Sequence, residues 1–237
     1  MRVMILAAGF GERMRPLTEH TPKPLLQVGG RPLIAWHIEA LAALGLDDLV
    51  INVAHLGQQI IDWCGDGQRW GVRIRYSREP EPLETAGGIA NAMPLLTDTN
   101  TNSGRPFLVV NADIYCEFDY AVLLPVLKAM HQVDSAPLAH LILVDNPPHH
   151  AAGDFALLHN QVELTGDNRL TFSGIGIYHP LLFKDVESGL PAKLAPILRT
   201  AINQKKVTGA YYAGTWMDIG TPERLGQLNR QLSDQQG

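Results

Sequence analysis

The beginning of the chain concentrates the residue types that bind phosphate groups. An apolar run, Val3–Ala8, leads into Gly9-Phe10-Gly11, and Arg13, Arg15 and Lys23 follow. Glycines after a strand allow the backbone to approach a phosphate group and to direct N–H groups at it. The three cations would neutralise several phosphate charges. This segment therefore predicts a binding site for a polyphosphate ligand.

Two common phosphate-binding motifs do not describe this segment. The dinucleotide fingerprint GxGxxG needs a third glycine, but Met14 stands at that position. The Walker A pattern, which ends in GK followed by Ser or Thr, is absent from the sequence. A nicotinamide-dependent oxidoreductase is therefore disfavoured. The alternative without a ligand is a tight turn between a strand and a helix that carries solvated cations.

Two aspartates far apart in the chain also call for a chemical explanation. Asp113 follows the strongly apolar run Phe107–Val110, where a carboxylate is poorly placed for packing. Asp218 stands just before Gly220-Thr221-Pro222. The carboxyl ends of parallel strands open into the crevice where such sheets bind ligands. The structural alternatives are a turn or helix cap for Asp113 and the N-cap region of a helix for Asp218.

The segment from Leu6 to Leu25, LAAGFGERMRPLTEHTPKPL, resembles the signature of the sugar-1-phosphate nucleotidylyltransferases. Members of that family join a sugar 1-phosphate to a nucleoside triphosphate and release pyrophosphate. The resemblance implies that Arg13 grips the β- and γ-phosphates and that Lys23 meets the phosphates at the reacting centre. It also implies that Asp113 and Asp218 hold one Mg²⁺ ion, an ion that prefers oxygen ligands. Arg13, Lys23 and Asp113 are thus the expected catalytic residues.

Residues 79–88, EPEPLETAGG, resemble the base-binding loop of the same family, with Glu84 in place of the usual glycine. Glutamate cannot take every conformation open to glycine, so the path of the loop at Glu84 is left open. Ionised Glu79 can only accept hydrogen bonds, which favours the N3–H donor of uracil over cytosine, while guanine stays open. The resemblance implies a nucleotide site formed by Ala8, Gly9, Gly11, Glu12, Arg13, Lys23, Glu79, Glu84 and Gly87.

The sugar half departs from the usual family pattern. The Glu-Lys-Pro segment that commonly holds the sugar phosphate is absent ahead of Phe172–Tyr178. Residues 144–155, 170–175 and 193–196 instead resemble the family branch that transfers a uridylyl group to N-acetylmuramic acid 1-phosphate in bacterial wall recycling. That resemblance implies sugar contacts from Asn111, Gly153, Asp154 and Gly174. The candidate partners of the lactyl carboxylate are His149, His150 and Lys193.

Several other functions stay open on the sequence. Within the family, the alternatives are a mannose-1-phosphate guanylyltransferase and a glucose- or choline-phosphate enzyme. Loss of an aspartate or of Lys23 would favour a catalytically silent sensor of sugar nucleotides, but Lys23, Asp113 and Asp218 are all present. The oligomeric state, monomer or dimer, is not indicated.

Composition favours a small-molecule enzyme over a nucleic-acid or membrane protein. The net charge of −5 lacks the basic excess of a nucleic-acid surface. No apolar run approaches the roughly 18–20 residues of a membrane span, and the first residues lack the pattern of a signal peptide. Two cysteines without a CxxC spacing indicate neither a disulfide framework nor a zinc site. We therefore expect a cytoplasmic protein whose partners are a nucleoside triphosphate and a sugar 1-phosphate.

Alternating apolar runs and amphipathic stretches predict the scaffold for these residues. The expectation is an α/β fold with a doubly wound, mostly parallel, Rossmann-like sheet of the nucleotide-diphospho-sugar transferase type and a small sugar-binding β subregion. We expect one domain, 1–237, with a nucleotide-binding part (1–145) and a sugar-binding part (146–237). The predicted strands are Val3–Ala8, Leu49–Ala54, Val72–Ser77, Phe107–Val110, Leu138–Val144, Phe155–Leu158, Gln161–Leu164, Leu170–Phe172 and Gly176–Tyr178. The predicted helices are Pro32–Leu44, Leu56–Cys64, Thr85–Leu96, Tyr120–Gln132, Lys193–Asn203 and Pro222–Leu232, with a surface loop at Thr97–Pro106.

Overall fold

The structure, a computed structural model, describes residues 2–97, 104–130 and 137–234. The central part of the predicted loop Thr97–Pro106 and the end of the predicted helix Tyr120–Gln132 lie outside the described residues. The α-helices in these ranges are α1 (Leu33–Ala43), α2 (Gly57–Cys64), α3 (Glu84–Leu96), α4 (Leu124–Met130), α5 (Leu194–Asn203) and α6 (Pro222–Asp234). Each of them coincides with a segment predicted as helical, although α4 begins later than predicted because Tyr120–Leu123 forms a 3-10 turn.

The strands are, in chain order, β1 (Arg2–Leu6), β2 (Gln27–Val28), β3 (Arg31–Pro32), β4 (Asp48–Val53), β5 (Arg73–Arg78), β6 (Phe107–Asn111), β7 (Ile114–Cys116), β8 (Ala139–Val144), β9 (Phe155–Leu158), β10 (Gln161–Glu163), β11 (Arg169–Tyr178), β12 (Val207–Tyr211) and β13 (Trp216–Asp218). Nine of them form one sheet in the order β5-β4-β1-β6-β11-β8-β12-β10-β9. The first four strands of this order are mutually parallel, as predicted. The second half is mixed, because β11 runs antiparallel to both β6 and β8.

Alternation along β1 explains why helices cover both faces of the sheet. Val3 and Ile5 belong to one apolar cluster, whereas Met4 between them belongs to another. Successive side chains of a strand point to opposite faces, so a strand with apolar residues at every position must be covered twice. Helices α1, α2 and α4 pack on the first face, and α3 and α5 pack on the second.

Strands β7 and β13 form a separate two-stranded ribbon, and β7 follows β6 in the chain after the turn at residues 112 and 113. A third apolar cluster joins this ribbon to the opening segment and to α6 through Met14, Tyr115, Ile219 and Leu228. Neither ribbon strand is predicted by the sequence. Each is three residues long, which is too short to show a strand periodicity.

Strand β11 corrects one prediction. The sequence predicted two short strands, Leu170–Phe172 and Gly176–Tyr178, but the structure has a single strand of ten residues. Gly174 has a φ of +86°, and the register against β8 shifts between Phe172 and Gly176. This irregularity is a β-bulge, which bends a strand without ending it. The Ser-Gly pair between the two predicted strands therefore marks a bulge and not a turn.

A buried histidine of β8 provides a test of the packing. The ring of His140 lies 2.9 Å from the Thr208 hydroxyl of β12, and burial lowers its pKa from 6.5 to about 4. The native protein therefore stays unprotonated at His140 in a pH range where an unfolded chain binds a proton.

We predict that the free energy of unfolding falls as pH is lowered from about 6.5 to about 4, and that the His140 contribution is constant below that range. The depressed native pKa gives this sign, and the shift corresponds to about 3 kcal/mol at most. Urea unfolding across this pH range should show a shallower dependence in His140→Gln. An unchanged slope in His140→Gln would contradict this explanation.

Candidate active site

A cleft of about 600 Å³ opens at the carboxyl ends of β1, β4 and β6. The opening segment (residues 6–14), Lys23, the loop before α3 and residues 111–113 line it. This is the position where open α/β sheets bind ligands, because the loops leaving adjacent parallel strands diverge there. The structure thus brings together at one cleft most of the residues that the sequence singled out: Ala8, Gly9, Gly11, Glu12, Arg13, Lys23, Glu79, Glu84, Asn111 and Asp113.

The two glycines of the opening segment serve different purposes. Gly11 has a φ of +65°, and a Cβ there would lie 3.0 Å from Cγ2 of Thr18, whose hydroxyl donates to the Gly11 carbonyl at 2.8 Å. Gly11 is therefore required by the fold of the loop. Gly9 is different, since no described atom lies within 4 Å of the position of its absent Cβ. The space over Gly9 is open to a ligand approaching the backbone.

Lysine 23 is the buried cation of the cleft. Lys23 has an exposed fraction of 8%, and its Nζ lies 2.6 Å from Oδ2 of Asp113. Arg13 is exposed at the cleft and makes no hydrogen bond or ion pair with the residues that the structure describes. One cation is thus held at the carboxyl end of β6, and the other is available to solvent or ligand.

The ribbon brings the two aspartates together. Asp218 stands opposite Ile114 in the β7–β13 pair, and the Ile219 amide donates to the Asp113 carbonyl at 2.8 Å. Both carboxylate oxygens of Asp218 lie within 2.9 Å of Nη1 of Arg224, which belongs to the first turn of α6. Two residues distant in sequence therefore become neighbours through a single antiparallel pair.

The donor set at the ribbon suits Mg²⁺. This ion is commonly bound by one or two carboxylates and takes its remaining oxygens from water and substrate phosphates. Asp113, in the turn before β7, and Asp218, at the end of β13, supply two carboxylates next to a cleft with phosphate-binding features. Among the described residues, no group of three or more His, Cys, Asp or Glu side chains forms a complete protein cage for a metal. The arrangement fits a metal that is shared with a phosphate ligand.

A hydrogen-bonded chain fixes the loop that precedes α3. The buried Glu79 accepts from Asn52 Nδ2 at 2.7 Å and from the Leu83 amide at 2.9 Å. Asn52 in turn accepts from the Ala7 amide at 2.8 Å, and burial raises the pKa of Glu79. Each Glu79 oxygen therefore already has a protein donor. The hydrogen bond to a base that we predicted for Glu79 would have to use a second lone pair.

Glycines 87 and 88 allow neighbouring segments to approach α3. A Cβ at Gly88 would lie 2.8 Å from Glu79 Oε1 and 2.9 Å from Asn52 Nδ2. A Cβ at Gly87 would lie 2.4 Å from the carbonyl oxygen of Leu190. Gly87 does not line the cleft, and its role in nucleotide binding stays a prediction. The path of the loop at Glu84, left open by the sequence, is settled by its φ of +59°, because the glutamate adopts the left-handed conformation itself.

The predicted sugar residues lie around β11. Gly174 permits close packing on Asn111, whose side chain would be 2.9 Å from a Cβ at that position. Asp154 accepts from the Phe172 amide at 2.8 Å and lies 3.0 Å from Nε2 of His150. Asn111 lines the cleft, whereas Gly153, Asp154 and Gly174 do not belong to its lining. Their sugar contacts stay predictions.

Comparison with known proteins assigns the family. Residues 2–153, more than half of the chain, match the model of the nucleotidyl transferase family. The N-acetylmuramate alpha-1-phosphate uridylyltransferase of Neisseria meningitidis serogroup B is 51% identical over 229 residues, which is 95% of either chain. The chain belongs to the nucleotidyl transferase family. The family membership predicted from residues 6–25 is confirmed.

Less similar proteins share the sequence pattern or the fold of this nucleotidyl transferase. The mannose-1-phosphate guanyltransferase of Schizosaccharomyces pombe is 31% identical over 233 residues, which is 94% of this chain but 62% of that protein. A Bacillus anthracis structure assigned as a glucose-1-phosphate thymidylyltransferase superposes with a TM-score of 0.81 at 20% identity, covering 99% of this chain and 96% of the other. HddC from Yersinia pseudotuberculosis, complexed with GMP-PN, gives 0.73 at 22% identity, covering 97% and 98%. These two structural matches confirm the predicted fold class.

Arg224 is a residue of this nucleotidyl transferase that the sequence did not single out. It contacts both Asp218 and His149, and His149 Nε2 also lies 3.0 Å from Asp218. A cation in the first turn of a helix opposes the helix dipole, and this signal could have identified it. His149 and His150 each lie within 3.0 Å of an aspartate, and Lys193 precedes α5 and does not line the cleft.

In the described part of the chain, no helix is long and apolar enough to cross a membrane.

We predict that Gly88→Ala both destabilises the protein and weakens nucleotide binding. Alanine normally favours a helix over glycine, but here its Cβ would displace Glu79 or Asn52. Loss of one such buried hydrogen bond costs about 1–3 kcal/mol. Unfolding in urea should show the lower stability, and calorimetric titration with a nucleoside triphosphate should show the weaker binding. Gly226→Ala in α6 is the matched control and should be neutral or slightly stabilising, because its Cβ has room. If Gly88→Ala unfolds and binds nucleotide as the wild type does, the hydrogen bonds of Glu79 with Asn52 and Leu83 do not hold the loop before α3.

Proposed function

We propose that the chain transfers a uridylyl group from UTP to N-acetylmuramic acid 1-phosphate and releases pyrophosphate. The observation that carries this proposal is the 51% identity to the N. meningitidis uridylyltransferase over 95% of both chains. The cleft supports it independently, because its glycine loop, Arg13 and Lys23 suit a triphosphate. The product would be UDP-N-acetylmuramic acid, the nucleotide-activated form of a wall sugar.

The reaction needs in-line attack of a sugar phosphate oxygen on the α-phosphorus as pyrophosphate departs. A sugar phosphate is already ionised at neutral pH, so a general base is not required. The difficulty is to bring two polyanions together, which makes positioning and charge neutralisation the main sources of catalysis.

Arg13 and Lys23, the two cations of the cleft, neutralise different phosphate groups in this proposal. Arg13 is free of protein partners in the described part of the chain, and we assign it to the β- and γ-phosphates. Lys23 is buried at the base of the cleft, and we assign it to the α-phosphoryl group where negative charge develops. The open space over Gly9 allows backbone amides to approach the phosphates.

Asp113 and Asp218 would hold the Mg²⁺ ion. When bound, the ion would neutralise phosphate charge and polarise the phosphoryl group. Lys23 and Arg224 pair with these aspartates in the structure. We propose that both cations exchange a carboxylate partner for a phosphate partner as substrates enter. The two ion pairs therefore neutralise Asp113 and Asp218 before substrates arrive.

We assign residues 1–145 to the nucleotide and residues 146–237 to the sugar. Asn111 lines the cleft at the end of β6, and we propose that it contacts the sugar directly. The loop 146–154 contacts the ribbon through His149, whose Nε2 lies 3.0 Å from Asp218, and it contacts α6 through the His149–Arg224 pair. We propose Arg224 as a further candidate for the phosphate or the lactyl carboxylate of the sugar, beside His149, His150 and Lys193. Such an enzyme would serve peptidoglycan recycling in the cytoplasm.

Pyrophosphate release across a matrix of nucleoside triphosphates and sugar phosphates tests the proposal. We expect the highest kcat/KM for UTP with N-acetylmuramic acid 1-phosphate. A charge-assisted hydrogen bond to the lactyl carboxylate contributes about 1.5–3 kcal/mol, which predicts about a 10- to 150-fold preference over N-acetylglucosamine 1-phosphate.

Two outcomes would contradict parts of this proposal. Equal kcat/KM for N-acetylmuramic acid 1-phosphate and N-acetylglucosamine 1-phosphate would exclude recognition of the lactyl group. Faster turnover of GTP with mannose 1-phosphate would replace the uridylyl assignment by a guanylyl assignment, the activity named for the S. pombe relative. Either outcome leaves membership of the nucleotidyl transferase family intact.

A further inference from the structure

Glu84 has an unusual backbone for a glutamate. Its φ of +59° lies in the left-handed region, which costs a residue with a Cβ roughly 1–2 kcal/mol. The other described non-glycine residues with positive φ are Leu56, His159, Asn160 and Lys205. Of these five, Glu84 alone lines the cleft. A strained residue at a functional cleft is a reason to ask what its side chain does.

The surrounding backbone imposes this conformation on position 84. The Leu83 amide donates to Glu79, and the Leu83 carbonyl accepts from the Ala192 amide at 3.0 Å. Two residues after Glu84, the Ala86 amide donates to the Ala192 carbonyl at 2.9 Å. The chain is therefore tied down on both sides of Glu84. Glycine would satisfy the same path without strain.

Packing does not explain the glutamate side chain. Glu84 is exposed, and in the described part of the chain it makes no side-chain hydrogen bond or ion pair. Glu79, Pro82 and Thr85, which are close to it in the sequence, also line the cleft. The side chain thus adds an unpaired carboxylate to a cleft whose cations, Arg13 and Lys23, belong to the phosphate end.

We propose that the Glu84 carboxylate determines nucleotide specificity by accepting a hydrogen bond from the nucleoside, either from uracil N3–H or from a ribose hydroxyl. This inference rests on the proposed function. A carboxylate repels the phosphates, which leaves the nucleoside as the part of the nucleotide that it can bind. Both oxygens of Glu79 already accept protein hydrogen bonds. Among the described residues, Glu84 is the carboxylate of this loop that both lines the cleft and has no protein donor.

Glu84→Gly separates the two properties of this position. Removing the strain should raise the melting temperature, measured without nucleotide, by roughly 2–4 °C for a chain of this size. Removing the carboxylate should weaken UTP binding, measured by calorimetry, about tenfold or more. A merely structural role predicts that stability and affinity change in the same direction, so the opposed changes are the signature of a ligand-binding carboxylate. Glu84→Gln, which keeps the shape and the strain, should leave the melting temperature unchanged and reduce UTP affinity.

Nucleotide analogues identify the donor. If uracil N3–H is the partner, wild type prefers UTP to CTP and Glu84→Gly loses most of that preference. If a ribose hydroxyl is the partner, wild type prefers UTP to 2′-deoxy-UTP and Glu84→Gly binds both equally. His159→Gly is the matched control, because His159 has a φ of +47° on the exposed turn between β9 and β10. It should gain stability without a change in UTP affinity.

Two results would overturn the proposal. The first is Glu84→Gly with a raised melting temperature and wild-type affinity for UTP, which would mean that the side chain is tolerated and unused. The second is a fall in both stability and affinity, which would mean that the glutamate supports the fold. If wild type itself binds another nucleoside triphosphate better than UTP, the proposed function fails. The same variants measured with that preferred nucleotide then still test Glu84.

Discussion

The ion pair between Lys23 and Asp113, 2.6 Å from Nζ to Oδ2, brings together a cation that can neutralise phosphate and a carboxylate that can bind a metal ion. Phosphoryl transfer depends on both kinds of group. One partner comes from the opening segment and the other from the end of β6. Because β1 and β6 are parallel neighbours, the segments that leave them start from the same edge of the sheet. The β7–β13 ribbon extends the same arrangement, because it places Asp218 and its partner Arg224 beside Asp113.

A chain of buried hydrogen bonds joins strands β1 and β4 to the loop that precedes α3. Asn52, at the carboxyl end of β4, connects β1 to Glu79, and Glu79 holds the loop that carries Glu84. A buried hydrogen-bonded chain of this kind is costly to break, because each member left unpaired loses its solvation without compensation. The network therefore fixes the loop that carries Glu84, and the ion pair fixes Lys23 at the carboxyl end of β6.

The features with a local signature could be predicted from the sequence. Helix α1 and strand β4 follow from the spacing of their apolar residues, and the family follows from one continuous segment, residues 6–25, that contains the glycines, Arg13 and Lys23. The ribbon was missed because three-residue strands show no period and their pairing links residues that are far apart in the chain. Arg224 was missed because its partner Asp218 lies on a strand, out of reach of helical spacing. The strain at Glu84 depends on tertiary hydrogen bonds to residues 79 and 192, which no local pattern reveals.

The two carboxylates of the ribbon give the most direct test of the proposed chemistry. Turnover of UTP and sugar 1-phosphate at saturating Mg²⁺ should be measured for Asp113→Asn and Asp218→Asn, with melting temperature as the check on folding. We expect turnover to fall by roughly 10²–10³ in each variant, comparable to the loss of one preorganised electrostatic group, while the nearly isosteric change preserves the fold. Near-normal turnover in both variants would contradict the assignment of Mg²⁺ to Asp113 and Asp218.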